Sequence, residues 1–493
     1  MRIAFHGAAR TVTGSKHLVT LDNGKKVLLD CGMFQGLGRE TDQLNREFGF
    51  EAREVDYLVL SHAHIDHSGL VPKLVKDGFR GKIFATSGTR DLCKVLLEDS
   101  AAIQKDDAHF ENKKRQRQGL PLIEPIYSIE DAHRAMDLFV EVPYGSFFEI
   151  EKGLEVLYTD AGHIIGSAAV SLRITEAATG GANAAGGTTT GEAKATIGDK
   201  VTHLTFSGDV GRYKDLILTS PQPFPQADYI LIESTYGNSL HEAIAPGVNA
   251  ADQLLGWIKH TCLEKKGKLI IPAFSVGRTQ ELLFMLNELE LDSRLPALDY
   301  YVDSPLSYEA TAVVKKHPEN FNANIRKVLE TDSDPFDFKG LKYIQDTEAS
   351  KQLNDRSDPM VIISASGMAD AGRVRHHIAN NISESRNTIL LVGYCEPRSL
   401  GGQLMNHAKK VHIFGDEYPV VAEVGSMRSM SAHGDYADLL HFLSGQDVKQ
   451  VRKIFIVHGE YPVQQGFRER LLNAGFARVE IPDLHETFDL GDS

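Results

Sequence analysis

Four cysteines, Cys31, Cys93, Cys262 and Cys395, are all that this chain of 493 residues contains, and no two of them form a C-x-x-C pair. Their scatter argues against a zinc knuckle and against a disulfide framework, and leaves reduced thiols of a cytoplasmic protein as the expectation. Long apolar runs are missing as well. No stretch reaches the length that spans a bilayer, and Met1 to Thr20 lack the charged start and apolar core of a secretion signal. A soluble intracellular protein with no membrane partner is expected. Basic excess is also absent: the formal net charge of -14 argues against a generally basic nucleic-acid binder, while leaving room for a local basic groove. The length exceeds what a single hydrophobic core organises, so two or more domains are expected.

What is present is concentrated in residues 55 to 69, Val-Asp-Tyr-Leu-Val-Leu-Ser-His-Ala-His-Ile-Asp-His-Ser-Gly. An apolar run of strand character, Tyr57 to Leu60, leads into His62, His64, Asp66 and His67. Imidazole and carboxylate are the usual ligands of a divalent cation. Alternate spacing puts the rings of His62 and His64 on one side of an extended segment, and Asp66 and His67 follow around the next turn. The stretch therefore carries enough ligands for two ions. A surface loop that happens to be rich in histidine is the bland alternative, and the density of ligand types in six positions weighs against it.

Upstream, short strands alternate with glycine turns: Arg2 to Phe5, His17 to Leu21, and Lys26 to Asp30. Asp30 at the tip of the third strand could orient a ligand histidine through its other ring nitrogen; alone, it reads as a solvated turn residue. Leu70 to Asp77 and Thr89 to Lys105 have helical character, and the run Lys113-Lys114-Arg115-Gln116-Arg117 reads as a solvated face. After a strand at Gly153 to Tyr158, His163 sits in a glycine-bounded turn, where it could be structural or, beside the first cluster, a third nitrogen ligand. Residues 177 to 192 are low in complexity and carry no large apolar group, so a flexible excursion between two hairpin strands is expected. Asp209 then closes a strand, followed by valine and glycine, and suits a carboxylate that bridges two ions about 3.5 to 4 Å apart.

From about Pro221 strands and helices alternate. Tyr229 to Glu233, Lys268 to Ile271, Leu298 to Val302, Val361 to Ser364 and Thr388 to Gly393 are apolar strands, with helices at Val248 to Lys265 and Thr279 to Leu289. This is the pattern of a doubly wound α/β domain. Two of its loops have the makings of a phosphate site: Ser275 and Arg278 before a helix, and Ser364, Ser366 and Gly367 after a strand. The last hundred residues return to short strands and place His433 and His458 in glycine-containing turns. His458 at the end of an apolar strand repeats the setting of His62, so the α/β segment reads as an insertion.

Taken together, Asp30, His62-x-His64-x-Asp66-His67, His163, Asp209, Glu233 in Glu-Ser-Thr-Tyr-Gly, His433 and His458 resemble the metallo-β-lactamase superfamily and, within it, the β-CASP nucleases. That branch includes the nuclease subunit of the messenger-RNA cleavage and polyadenylation factor and its prokaryotic relatives. The resemblance covers nearly the whole chain. It implies an α/β protein: a metallo-β-lactamase four-layer αβ/βα sandwich from residues 1–215 and 395–493, with an inserted doubly wound α/β β-CASP domain at 216–394 and the active site in the cleft between.

Carried over position by position, the resemblance implies that His62, His64 and His163 hold one zinc, that Asp66, His67 and His458 hold the other, and that Asp209 bridges both. Manganese or iron would suit the same ligands. Asp66, Asp209, Glu233 and His433 are the expected catalytic residues. His433 would protonate the leaving oxygen, oriented by Glu233, while two cations acidify a shared water for in-line attack on a phosphodiester. Asp30 would support a ligand histidine.

The histidine at the last motif favours RNA as the partner over DNA, whose repair branch, related to Artemis, lacks it. The absence of an N-terminal KH domain and the 177–192 insertion depart from archaeal relatives without touching a ligand position. Homodimerisation and the choice between endo- and exonucleolytic attack stay open. The competing readings are a small-molecule ester or lactam hydrolase of the same superfamily, which would not need the α/β cap, and a noncatalytic RNA-binding subunit, which would usually have lost ligands.

Overall fold

A computed structural model of the chain describes residues 1–36, 40–176, 200–241, 249–393, 395–427 and 430–491. The low-complexity stretch at 177–192 and the first residue of the expected helix, Val248, lie outside the described residues.

Two seven-stranded sheets form the base of the molecule. The first runs, from edge to edge, Thr487–Asp489, Arg2–Phe5, His17–Thr20, Lys26–Leu29, Tyr57–Val59, Lys82–Ala85 and Phe139–Glu141. The second runs Val479–Glu480, Lys453–Ile456, Tyr229–Ile232, Lys200–Phe206, Ala168–Glu176, Leu154–Asp160 and Phe148–Glu151. Side chains alternate along each strand, so every strand serves two cores. Val27, Leu29, Val59 and Phe84 of the first sheet meet Val156, Val170, Leu204 and Phe455 of the second. On the outer face of the first sheet, Leu28 and Leu58 pack with Leu70, which precedes the helix Val71–Lys76, and with Leu74 of that helix and Leu92 of Ser87–Arg117. On the outer face of the second, Ile230 and Ile454 pack with Leu439, Phe442 and Phe467 of Tyr436–Leu443 and Tyr461–Asn473. Helix, sheet, sheet, helix is the four-layer sandwich that the sequence implies.

The strands Tyr229–Ile232 and Lys453–Ile456 are adjacent and parallel, with Ile230 opposite Ile454. Between them in sequence lies a separate six-stranded sheet, ordered Leu341–Tyr343, Asp299–Val302, Met360–Ser364, Lys268–Pro272, Thr388–Val392 and Glu423–Met427, with every pairing parallel. Helices cover both faces: Leu269 and Ile271 pack with Leu254 and Leu282, while Ile270 and Leu391 pack with Ile378 and Leu404. Burial on both sides explains why these strands read as unbroken apolar runs. The sheet reaches past residue 394, because Glu423–Met427 pairs along its edge with Thr388–Val392.

The helix expected to end near Lys105 extends over Ser87–Arg117, 31 residues, capped by Thr86, whose hydroxyl accepts from the Thr89 amide at 3.2 Å. The basic run Lys113 to Arg117 is its last turn, where positive charge complements the helix dipole. The helix expected at Val248 to Lys265 is described as Ala250–Ile258 followed by a π-helical turn, Lys259–Glu264. All four cysteines are buried. Among the described residues no helix is long and apolar enough to cross a membrane.

Candidate metal centre and active site

The histidines and carboxylates singled out in the sequence leave the carboxyl ends of strands on the two base sheets and converge. His62 follows Tyr57–Val59, His163 follows Leu154–Asp160, Asp209 follows Lys200–Phe206, Glu233 follows Tyr229–Ile232, and His458 follows Lys453–Ile456. His64 caps the one-turn helix Ile65–Ser68, which carries Asp66 and His67. That turn is held from below: Cys31 donates its amide to the His67 carbonyl at 2.8 Å, and Ser15 donates to the Asp66 carbonyl at 2.8 Å. Gly32 lies so close beneath it that a Cβ would come within 1.6 Å of the Asp66 carbonyl oxygen.

Two groups of donors result. In the first, Nδ1 of His64 lies 3.2 Å from Nε2 of both His62 and His163, and each of those Nε2 atoms lies 3.5 Å from Oδ2 of Asp209. In the second, Nε2 of His67 is 3.1 Å from Nε2 of His458, which is 3.4 Å from Oδ2 of Asp66. The other oxygen of Asp209, Oδ1, faces this second group, 3.3 Å from His67 Nε2 and 3.4 Å from His458 Nδ1. Each group brings one ligand atom per residue within 4.8 Å of all the others.

This donor set fits divalent cations. Imidazole nitrogens converging on a common point, with carboxylate oxygens among them, satisfy one another poorly as hydrogen-bond partners but well as ligands. Oδ1 of Asp209, which faces the second group, is buried with no hydrogen-bond partner among the described residues. Burial lowers the imidazole of His64 to about 4 and pushes those of His62 and His163 well below their ordinary value, which keeps all three in the neutral form that binds metal. Burial would raise Asp209, but the surrounding imidazoles of His458, His67 and His433 outweigh it and hold the carboxylate ionised.

A surrounding layer fixes the donors. Asp30, in the left-handed backbone region at φ 58°, is fully buried; it accepts from the Ser61 amide (2.7 Å), from the Ser61 hydroxyl (2.8 Å) and from Nδ1–H of His67 (2.6 Å). Glu233 is fully buried and accepts from the amides of Val210 (2.7 Å) and Thr235 (3.2 Å). Its Oε1 lies 3.2 Å from Nδ1 of His433, whose ring stands 4.6 Å from that of His163 at the mouth of the first donor group. Burial lowers His433, yet the carboxylates of Glu233 and Asp209 prevail and lift it to about 9.

Of the five loop residues with phosphate-site character, the structure leaves only part available. Loops 275–278 and 364–367 do lie side by side, at the ends of the paired strands Lys268–Pro272 and Met360–Ser364. Arg278, however, is buried and donates to the carboxylate of Glu281, and Ser364 is buried with its hydroxyl donating to the Asp303 carbonyl at 2.8 Å. Ser275 and Gly367 are buried and Ser366 is partly exposed.

Several participants carry no sequence signal strong enough to single them out. Thr235 places its hydroxyl 3.1 Å from Nδ1 of His458, and His241 donates Nε2–H to the His433 carbonyl at 2.8 Å. A hydroxyl and a histidine just after a strand-end carboxylate were the available hints. In the insert, fully buried Asp303 accepts from Ser350, from His377 Nε2–H (2.6 Å) and from Arg373 (2.7 Å), a knot that steadies the 364–367 loop from behind.

Fold and site together define a metal-dependent hydrolase of the metallo-β-lactamase type. The sequence matches the families described as metallo-beta-lactamase superfamily over residues 13–79, Beta-Casp domain over 279–404, and Zn-dependent metallo-hydrolase RNA specificity domain over 417–482. It is 33% identical over 460 residues to Ribonuclease TTHA0252 of Thermus thermophilus, covering 93% of each chain. It is 27% identical to an RNase J-like protein of Methanocaldococcus jannaschii, covering 93% of this chain and 92% of that one. It is also 27% identical to Transcription termination factor FttA of Methanosarcina mazei, covering 93% of this chain and 67% of that one. The chain belongs to the β-CASP family of RNA nucleases within the metallo-β-lactamase superfamily.

Proposed function

We propose that this protein is a two-zinc ribonuclease that hydrolyses phosphodiester bonds of single-stranded RNA in the cytoplasm, by endonucleolytic attack, exonucleolytic attack or both. The observation that carries the reading is the division of Asp209: one carboxylate oxygen faces His62 and His163, the other faces His67 and His458. His62, His64 and His163 would hold one zinc, Asp66, His67 and His458 the other, and Asp209 both. Zinc rests on the ligand chemistry and on the Zn-dependent family description, and manganese or iron would suit the same donors. RNA rests on the RNA-specificity match at 417–482 and on relatives named as ribonucleases.

When bound, the cations acidify a water molecule and neutralise charge that develops on the scissile phosphate. The chain's own residues do the rest. Asp30 fixes the tautomer of His67 so that its Nε2 faces Asp209. Glu233 holds His433 through Nδ1, leaving Nε2 to deliver a proton to the departing oxygen. The Glu233 carboxylate beside Nδ1 favours the protonated ring that this step needs. Partly exposed Ser366, at the end of the insert's sheet, is the part of the phosphate loops best placed to meet the substrate backbone.

We propose the division 1–215, 216–394 and 395–493 with both boundaries of the insert moved. Tyr229–Ile232, whose apolar run reads like a strand of the insert, pairs with Lys200–Phe206 and Lys453–Ile456 of the sandwich, so the β-CASP domain begins after residue 232. The parallel pairing of Glu423–Met427 with Thr388–Val392 supports assigning that strand to the β-CASP domain, with the return to the sandwich after residue 427.

The test is cleavage of end-labelled single-stranded RNA and the matching DNA by purified protein, beside His64→Ala and His433→Ala, with metal content measured on each. RNA cut, DNA spared and both variants inactive is the expected result. Wild-type protein that carries two metals per chain and leaves RNA intact would overturn the proposal.

A further inference from the structure

An aromatic ring stands exposed at the edge of this site. Phe274 is the second residue beyond the strand Lys268–Pro272, at the carboxyl end of the insert's sheet, which is where open α/β sheets bind ligands. Its neighbours Ile270, Ile271 and Ala273 are fully buried, whereas Phe274 is 38% exposed. Among the described residues it is the one exposed large apolar side chain in ring contact with a candidate metal ligand: its centroid lies 6.4 Å from that of His64.

The ring is held in place. The Ala273 amide donates to the Ser364 carbonyl at 3.0 Å, and the Phe274 carbonyl accepts from the amide of Thr279 at 3.2 Å and from its hydroxyl at 2.7 Å. The chain therefore enters the helix Arg278–Leu291 with Phe274 fixed at its threshold. On the far side the ring lies against Gly367, where a Cβ would sit 2.5 Å from the nearest ring carbon. A residue with any side chain at 367 would displace the ring. Phe274 is thus wedged between the loop of Ser366 and Gly367 and the first donor group, with part of its surface left to solvent.

We propose that Phe274 is a stacking platform for a nucleobase of single-stranded RNA, next to the phosphate at the metal centre. The proposal rests on the ribonuclease reading above. A base offers a flat π-surface whatever its identity, so stacking on Phe274 would hold the strand in register without selecting a sequence. Arg278 and Ser364 are buried with partners of their own, so of these two loops it is the aromatic face and the partly exposed Ser366 that a strand would meet. Phe274 is accordingly a positioning residue whose loss is felt in substrate engagement before chemistry.

The experiment walks a single abasic nucleotide through a single-stranded RNA oligomer and measures kcat and KM for wild type, Phe274→Leu and Phe274→Trp. Wild type should show one position, adjoining the cut, at which removing the base lowers kcat/KM about ten-fold. Phe274→Leu should lose about as much on intact RNA, mainly through KM, and should no longer respond to the abasic position; Phe274→Trp should restore both. If Phe274→Leu matches wild type, or keeps the abasic penalty at the same position, the stacking proposal is wrong while the ribonuclease reading stands. Fluorescence anisotropy with intact and abasic oligomers repeats the comparison without turnover. Wild type that binds but does not cut would remove the nuclease reading and still judge the stack, and wild type that neither binds nor cuts removes both.

Discussion

Oδ2 of Asp30 and Nδ1 of His67 lie 2.6 Å apart in an interior from which solvent is excluded on both sides. The carboxylate accepts the proton on Nδ1, which leaves Nε2, 3.3 Å from Asp209 and 3.1 Å from Nε2 of His458, as the nitrogen that would meet a cation. Without Asp30 the ring is free to choose the other tautomer. Asp30→Ala should therefore weaken metal binding by about ten- to a hundred-fold although no ligand has been changed. Competition against a chromogenic chelator measures it, and affinity within two-fold of wild type would show that Asp30 does not govern the ring.

Metal removal should destabilise the fold as well as silence it. The donors come from both sheets, from His62 in the first to His458 in the second, so a cation adds a link between segments far apart in the chain. A ligand bound only by the folded state stabilises it by about 4 kcal/mol at a thousand-fold excess over Kd. Melting with a chelator should occur several degrees lower than with added zinc, and His64→Ala should narrow that gap. Coincident melting curves would show that the donors are not a metal site.

Glu233 tests the acid. Its carboxylate touches Nδ1 of His433 at 3.2 Å while accepting from the Val210 amide. Glu233→Gln keeps an acceptor for Val210 and removes the charge that favours the protonated ring. We expect kcat to fall about a hundred-fold with metal content unchanged, and the double variant with His433→Ala to be no worse than His433→Ala alone. Additive losses would separate the two residues.

The convergence of the candidate ligands was readable because each one ends a strand beside a glycine or lies in the compact run from His62 to His67, so local pattern and chemistry point the same way. The same local pattern made Arg278 look available for phosphate. Its actual partner, Glu281, lies one helical turn ahead, and only the packing of the helix Arg278–Leu291 shows that the pair is buried. His241 and Thr235 were not singled out because what gives them meaning, the carbonyl of His433 and the ring of His458, is about two hundred residues away. The basic run Lys113 to Arg117 reads as a charged face at the helix's end, and Gly119, in the left-handed region at φ 67°, with Pro121 beyond it, supplies the stop that the span Thr89 to Lys105 falls short of. The edge strand Glu423–Met427 lies beyond the apolar runs that defined the insert, which is why the sheet extends further along the chain than its sequence pattern suggests.

Lys16 is the least expected residue of the interior. It is fully buried, stands 4.2 Å from the centre of the Phe34 ring, and donates to the carbonyls of Gly14 and Gly32 at 2.8 Å each, with no carboxylate paired to it among the described residues. The two carbonyls belong to loops that lie under Asp66 and beside Asp30, so the side chain ties together the floor of the site. Burial pulls its pKa down from 10.5 to about 7. An unfolded chain keeps the proton up to the higher value, so between about pH 7 and pH 10 the unfolded state binds more protons than the folded one, and stability attributable to Lys16 rises with pH. Below about 7 both states are protonated and the full penalty of burying the charge applies. Lys16→Met removes the titration while keeping an apolar stem of similar reach. Relative to wild type, the variant should gain stability at pH 7, and that advantage should shrink by about 3 kcal/mol by pH 10, at about 1.4 kcal/mol per unit through the middle of the window. Urea unfolding of both proteins at pH 7, 8, 9 and 10 measures the difference directly. A difference that stays flat with pH would mean that Lys16 keeps its proton in the folded state, held there by the two carbonyls and the face of Phe34.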